Sequence, residues 1–195
     1  MRVCYVLSTS EITGGANRSI LDLLGALKRD LVDPIVLIKK RGDIENLLKA
    51  LKIPVFFIPF INEVSAGNLF LDGLKRVNSI KTSRQIERFL KAQKVDLVHN
   101  NSLPALAGME AANKIGIPYI CHIREQIESG LGLHLLNQRK HFSIVKNSAC
   151  ILAISHFVCN EYEEILRGIP ITILHDGFDT SYYLNEDKTI FDGTT

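Results

Sequence analysis

Seven short apolar runs rich in valine and isoleucine recur along this chain, and they leave few folds open to it. They are RVCYVLS (2–8), DPIVLIKK (33–40), IPVFFIP (53–59), VDLVHNN (95–101), IPYICHI (117–123), ACILAIS (149–155) and IPITILHD (169–176). Most are separated by segments with helical spacing. Ile20, Leu21, Leu23, Leu24 and Leu27 share one broad helical face. Ile44, Leu47, Leu48 and Leu51 repeat the pattern, as do Ile86, Phe89 and Leu90, and less regularly Phe157, Tyr162, Ile165 and Leu166. Continuous apolar strands alternating with helices predict an α/β fold, a mainly parallel sheet of about seven strands with helices on both faces. KIGIP (114–118) and LRGIP (166–170) each place Gly after a helix and Pro before a strand. FINEVSAGNLFLDGLKRVNS (60–79) breaks the rhythm and reads either as a helical excursion or as a mobile loop.

A chain of 195 residues makes one large domain or two small ones, long enough to bury well over half of its unfolded surface. Its net charge of +2 is too mild for a nucleic-acid footprint, so no nucleic-acid partner is expected. The opening MRVCYVLSTS has too short an apolar run for a signal peptide. No run reaches the ~18 apolar residues of a membrane span. A cytoplasmic protein is therefore expected. The four cysteines, Cys4, Cys121, Cys150 and Cys159, form no CxxC pair. They read as buried thiols in a reducing compartment, with no metal site.

Right-handed crossovers put every strand's carboxyl end at one edge of such a sheet, and ligands bind at that edge. The residues just beyond the strands are 8–15, 100–102, 122–125, 155–156 and 175–179. They include acids, bases and an arginine, drawn from strands far apart in sequence. That convergence predicts a functional site. Within it, Gly14 and Gly15 lack Cβ atoms and let a ligand approach the backbone. The helix that follows offers free N–H groups and a positive dipole end to a phosphate or another anion, and Arg18 adds a charge one turn in. The same pair also serves as a tight strand-to-helix turn. Neither GxGxxG nor GxxxxGK[ST] is present.

GGANRSILDLLGAL, DLVHNNSLPALAGMEAANKIGIPYICHIRE, AISHFVCNEY and ILHDGFDTSYY, in this order and spacing, resemble the amino-terminal half of a family 4 glycosyltransferase. The resemblance runs from residue 1 to about residue 184. It implies a Rossmann-like, doubly wound domain, one of the two that face each other across the cleft of a GT-B fold. It also implies transfer of a sugar from a nucleotide-sugar donor to a saccharide or lipid-linked acceptor, with retention of configuration and without a cofactor. In such enzymes the amino-terminal domain shapes the acceptor side, and the second domain holds most donor contacts. Nothing here matches that second domain. Residues 185–195 read as a tail or the start of an inter-domain linker, and little turnover is expected of this half alone.

Site residues follow from the matching positions. Gly14 and Gly15 match the glycine loop against the donor phosphate or the acceptor. His122 matches the catalytic histidine directed at the transferred sugar, although from its residue type alone it reads more readily as a core histidine packed under a loop. Arg124 and Glu125 match a charged pair that binds substrate or pairs with itself. Asn101, Ser102 and Arg18 join the substrate-binding set. Ser155 fits a strand-end serine or a helix N-cap. Asp176 stands where the pattern usually has Asn. His99, His134 and His141 are expected to be structural or solvent-facing.

Lys81, Arg84, Arg88 and Lys91 share one helical face, and residues 72–94 hold seven Lys or Arg against Asp72 and Glu87. This is a solvated face or a contact with an anionic membrane surface at the inner face. A sugar-nucleotide epimerase and a non-catalytic binding module are the alternative functions.

Overall fold

The computed structural model describes residues 1–12, 15–67 and 69–177, those of 69–80 by backbone only. The elements run β1 (Arg2–Val6), α1 (Gly15–Ala26), β2 (Asp33–Ile38), α2 (Ile44–Ala50), β3 (Val55–Phe57), β4 (Val64–Ser65) and α3 (Leu69–Ala92). They continue with β5 (Leu97–Asn100), α4 (Leu106–Ile115), β6 (Tyr119–Ile123), β7 (His134–Leu135), α5 (Gln138–Lys146), β8 (Cys150–Ala153), α6 (His156–Asn160) and β9 (Ile171–Ile173). Seven strands form one sheet in the order β3-β2-β1-β5-β6-β8-β9, every neighbouring pair parallel. Each of the seven apolar runs supplies one of these strands. Strand order reverses between β1 and β5, the switch point where such sheets open a crevice.

Both faces of β1 are buried, as its unbroken apolar run requires. Alternate residues point to opposite faces. Val3, Tyr5 and Leu7 pack with Ile20 and Leu24 of α1 and Ile44 and Leu48 of α2. Cys4 and Val6 pack with Ile86 and Leu90 of α3, Leu106 and Met109 of α4, and Phe142 and Val145 of α5. α4 approaches the sheet through Gly108, where an added Cβ would lie 2.8 Å from Val6 Cγ2. Gly116 ends α4 in the left-handed conformation, φ 72°, as KIGIP predicted. Gly168, at φ +83°, closes a run of turns instead of a helix, since α6 stops at Asn160. All four cysteines are free thiols, three buried and Cys150 partly so.

Several expectations need revision. Residues 60–79 are neither wholly helix nor wholly loop: α3 starts at Leu69, and ahead of it β4 pairs antiparallel with β7, Val64 opposite Leu135. Phe157 is 72% exposed and belongs to no buried face. Leu23 and Leu47 lie on the flanks of their helices and are also exposed. Among the described residues, no helix is long and apolar enough to cross a membrane.

Candidate functional site

The carboxyl ends of β1, β5, β6 and β9 are tied together by one buried guanidinium. Arg124 follows β6 directly. Its Nε donates to Asn101 Oδ1 at 2.8 Å, and its Nη1 donates to Asp176 Oδ1 at 2.6 Å. Asn101 follows β5; its Nδ2 donates to the Ala16 carbonyl in the first turn of α1 at 3.1 Å, and its backbone N–H donates to Val6 O at 3.0 Å. A planar fork with five donors can bond in several directions at once. The network thus fixes the start of α1 relative to three other loops. Asn17, buried in α1, extends it: its Nδ2 donates to Thr9 Oγ1 at 2.8 Å and to Glu11 O at 2.7 Å, pinning the loop after β1.

Arg124 and Glu125 do not pair through their side chains. Glu125 accepts the Ser102 hydroxyl at Oε1 and the Arg124 backbone N–H at Oε2, 3.1 Å. Burial pushes the Glu125 carboxyl above its ordinary pKa, against the opposing pull of Ser102 and Arg124. The segment after it is held by Tyr162, whose hydroxyl donates to Glu125 O at 2.8 Å and accepts from Ile127 N at 3.0 Å.

Below Arg124 lie two buried imidazoles. His99 Nε2 is 3.2 Å from His122 Nδ1. Burial drops the pKa of each to about 3, and the Arg124 charge pushes both the same way. His122 lines a cleft of about 870 Å³ between α1 and α2 on one side and the ends of β6 and β9 on the other. Arg124, Asp176 and Gly177 also face this cleft, as do Asp22 and Leu23 of α1 and Leu47 of α2.

The other expected residues take varied places. Gly14 lies outside the described residues. Gly15 is the first residue of α1 and is exposed; a Cβ added there would meet nothing within 4 Å. The first turn of α1 carries no acidic side chain. Arg18 is exposed. Ser155 caps α6, its hydroxyl accepting from Val158 N at 3.2 Å. Asp176 meets Arg124 with a carboxylate where an Asn would offer an amide. Lys81, Arg84, Arg88 and Lys91 are all exposed on α3. His134 is exposed, and His141 is buried with Nε2 donating to Leu103 O at 2.8 Å, so both fit the structural expectation. His99 is buried too, and it contacts His122. Tyr5 pairs with His99, which pairs with Ile120, so His99 shares a sheet face with His122. Among the described residues, no group of three or more His, Cys, Asp or Glu side chains is placed to hold a metal ion.

A parallel sheet of this order, with its polar strand ends gathered at the switch point, is a Rossmann-like, doubly wound domain. The chain belongs to glycosyltransferase family 4, whose sequence model matches residues 13–182. Among solved structures it is similar to HepE of Anabaena, crystallised with UDP and glucose, at 21% identity and a TM-score of 0.69, covering 94% of this chain and 46% of that one. MurG of Acinetobacter baumannii is similar at 18% identity and a TM-score of 0.62, covering 96% and 49%. The UDP-GlcNAc 2-epimerase of Neisseria meningitidis, bound to UDP-GlcNAc, is similar at 16% identity and a TM-score of 0.58, covering 89% and 46%. The chain therefore spans about half the length of the solved proteins it matches. Comparison with curated proteins finds no match.

Proposed function

We propose that these residues form the acceptor-side half of an enzyme that transfers a hexosyl group from a nucleotide sugar to a saccharide or lipid-linked saccharide, with retention of configuration. One observation carries the reading: the Arg124 network ties the first turn of α1 to the ends of β5, β6 and β9, and His122, Arg124 and Asp176 line one cleft beside it. Family membership supports the reaction class. The UDP and glucose bound by HepE support the donor class.

A retaining transfer passes through an oxocarbenium-like state, and negative charge builds on the departing diphosphate. The Gly14–Gly15 loop and the first amides of α1 would face that charge. The start of α1 suits an anion, because no acidic side chain in its first turn offsets the helix dipole. His122 would contact the transferred sugar. Arg124 spends its Nε and Nη1 donors within the protein, so it acts by holding the loops in place. Asn101 and Ser102 are engaged in the same way. The remaining donor contacts belong to a second half, and residues 1–195 by themselves would turn over little or nothing.

The test is a calorimetric panel of nucleotide sugars, run on residues 1–195 and on a chain extended through the downstream reading frame. Donor binding and transfer only in the extended chain is the expected result. Tight donor binding by residues 1–195 would place the nucleotide site here and overturn the acceptor-side assignment. Epimerisation of the donor without transfer would favour the epimerase reading, for which the Neisseria enzyme supplies the fold likeness.

The exposed row of Lys81, Arg84, Arg88 and Lys91 would hold the enzyme against an anionic membrane surface, where a lipid-linked acceptor is presented. Co-sedimentation with vesicles should rise with anionic lipid content and fall with salt. No dependence on anionic lipid would reduce the row to a solvated helix face.

A further inference from the structure

Two imidazoles in contact must share a proton, and their neighbour decides which ring carries it. His99 Nε2 and His122 Nδ1 are 3.2 Å apart, so one of these nitrogens donates and the other accepts. Arg124 breaks the tie. Its Nη2 lies 3.5 Å from the same His122 Nδ1, and a guanidinium only donates. His122 Nδ1 therefore meets donors from two directions and must offer its lone pair to them. A neutral imidazole that is bare at Nδ1 carries its proton on Nε2. His122 Nε2 is buried, and it has no hydrogen-bond partner among the described residues. An orphaned buried donor is rare in a folded protein and needs an explanation. His122 also lines the cleft, which supplies one: the acceptor arrives with the ligand.

We propose that His99 and Arg124 are positioning residues that together fix His122 as the Nε2–H tautomer, so that His122 meets the ligand as a hydrogen-bond donor to oxygen and not as a base. His99 in turn carries its own proton on Nε2 and is bare at Nδ1. Burial and the Arg124 charge keep both rings neutral. The donor role also explains why an arginine and a second histidine stand behind a histidine in this cleft: together they engage the Nδ1 lone pair and leave the proton on Nε2. The identity of the oxygen, a sugar oxygen of the substrate, rests on the transferase reading above. The tautomer does not.

Nitrogen–proton correlation NMR on residues 1–195, with isotope-labelled histidine, reads the tautomer directly. The His122 signals are assigned by their loss in His122→Ala. The expected spectrum shows a protonated Nε2 and a bare Nδ1 on His122, unchanged from about pH 5 to pH 8. His99→Gln, whose amide still donates, should keep that signature. His99→Phe, which cannot donate, should let the second tautomer become populated. A His122 protonated at Nδ1 in the unaltered chain would overturn the proposal, and so would a His122 signature indifferent to His99→Phe. The unaltered chain and His99→Gln suffice if His99→Phe does not fold. A failure of nucleotide sugars to bind the extended chain would sink the functional reading and leave these spectra as they are.

Discussion

Arg124 Nη1 donates to Asp176 Oδ1 at 2.6 Å, joining residues 52 positions apart and closing the end of β6 onto the end of β9. The two partners are unequal. The Arg124 side chain is 4% exposed and that of Asp176 is 34% exposed. Arg124 therefore depends on the protein for its hydrogen bonds, whereas Asp176 can turn to water. Losing Asp176 strands a buried cation, and leaving a charged donor unpaired is expensive.

Asp176→Ala should accordingly destabilise the fold by roughly 1–3 kcal/mol. Asp176→Asn should cost less, because an amide oxygen still accepts from Nη1. Urea midpoints of the two variants check this. Equal losses would mean that the carboxylate is not what satisfies Arg124.

Stability should fall as the solution turns acid. His99 and His122 have their pKa values lowered by burial to about 3, and His141 to about 4, against an ordinary 6.5. The unfolded chain therefore binds protons between these values while the folded chain does not. The stabilisation is complete above the ordinary value and is lost as pH falls below it. The slope is about 1.4 kcal/mol per histidine per pH unit. Glu125, whose pKa is raised by burial, works in the opposite sense above 4.5. Denaturant midpoints at pH 7, 6 and 5 should decrease in that order, and a flat series would contradict the neutral burial of the three rings.

Tyr162→Phe should loosen the segment after β6. The hydroxyl both donates to Glu125 O and accepts from Ile127 N, and Ile127 is buried. Without it, a buried N–H loses its partner, at a cost of about 1–3 kcal/mol. Amide exchange at Ile127 should accelerate more than exchange in β1. Unchanged protection at Ile127 would show that the hydroxyl is dispensable.

The seven main strands are legible in the sequence because each lies in a short apolar run, and the runs of β1, β2, β5 and β6 are unbroken because both faces of those strands are buried. β4 and β7 are not legible, since two residues carry no period. α5 escapes for a different reason: its buried face includes His141 along with Phe142, Ile144 and Val145, so the apolar stripe is short and interrupted. Of the candidate site, the edge was legible and the wiring was not. Arg124 and Glu125 are neighbours in sequence, yet their side chains bond to Asp176 and Ser102. Strand register, which brings His99 beside His122, is set by the fold and not by either residue's local sequence.

Two glycines should respond oppositely to alanine. Gly108 sits where α4 touches the sheet; a Cβ there would lie 2.8 Å from Val6 Cγ2 and 3.1 Å from Asn100 Oδ1. Gly108→Ala forces overpacking, which typically costs about 1–3 kcal/mol. At Gly15 an added Cβ meets nothing within 4 Å, and the residue opens a helix. Gly15→Ala should leave stability unchanged or raise it by up to about 1 kcal/mol through helix propensity. If the start of α1 faces a diphosphate, the same methyl group obstructs the ligand. Nucleotide-sugar affinity of the extended chain should then fall for Gly15→Ala while its urea midpoint holds. A variant that keeps full affinity would remove the glycine loop from the binding site, and one that loses stability would show that the protein itself, and not a ligand, occupies the space above Gly15.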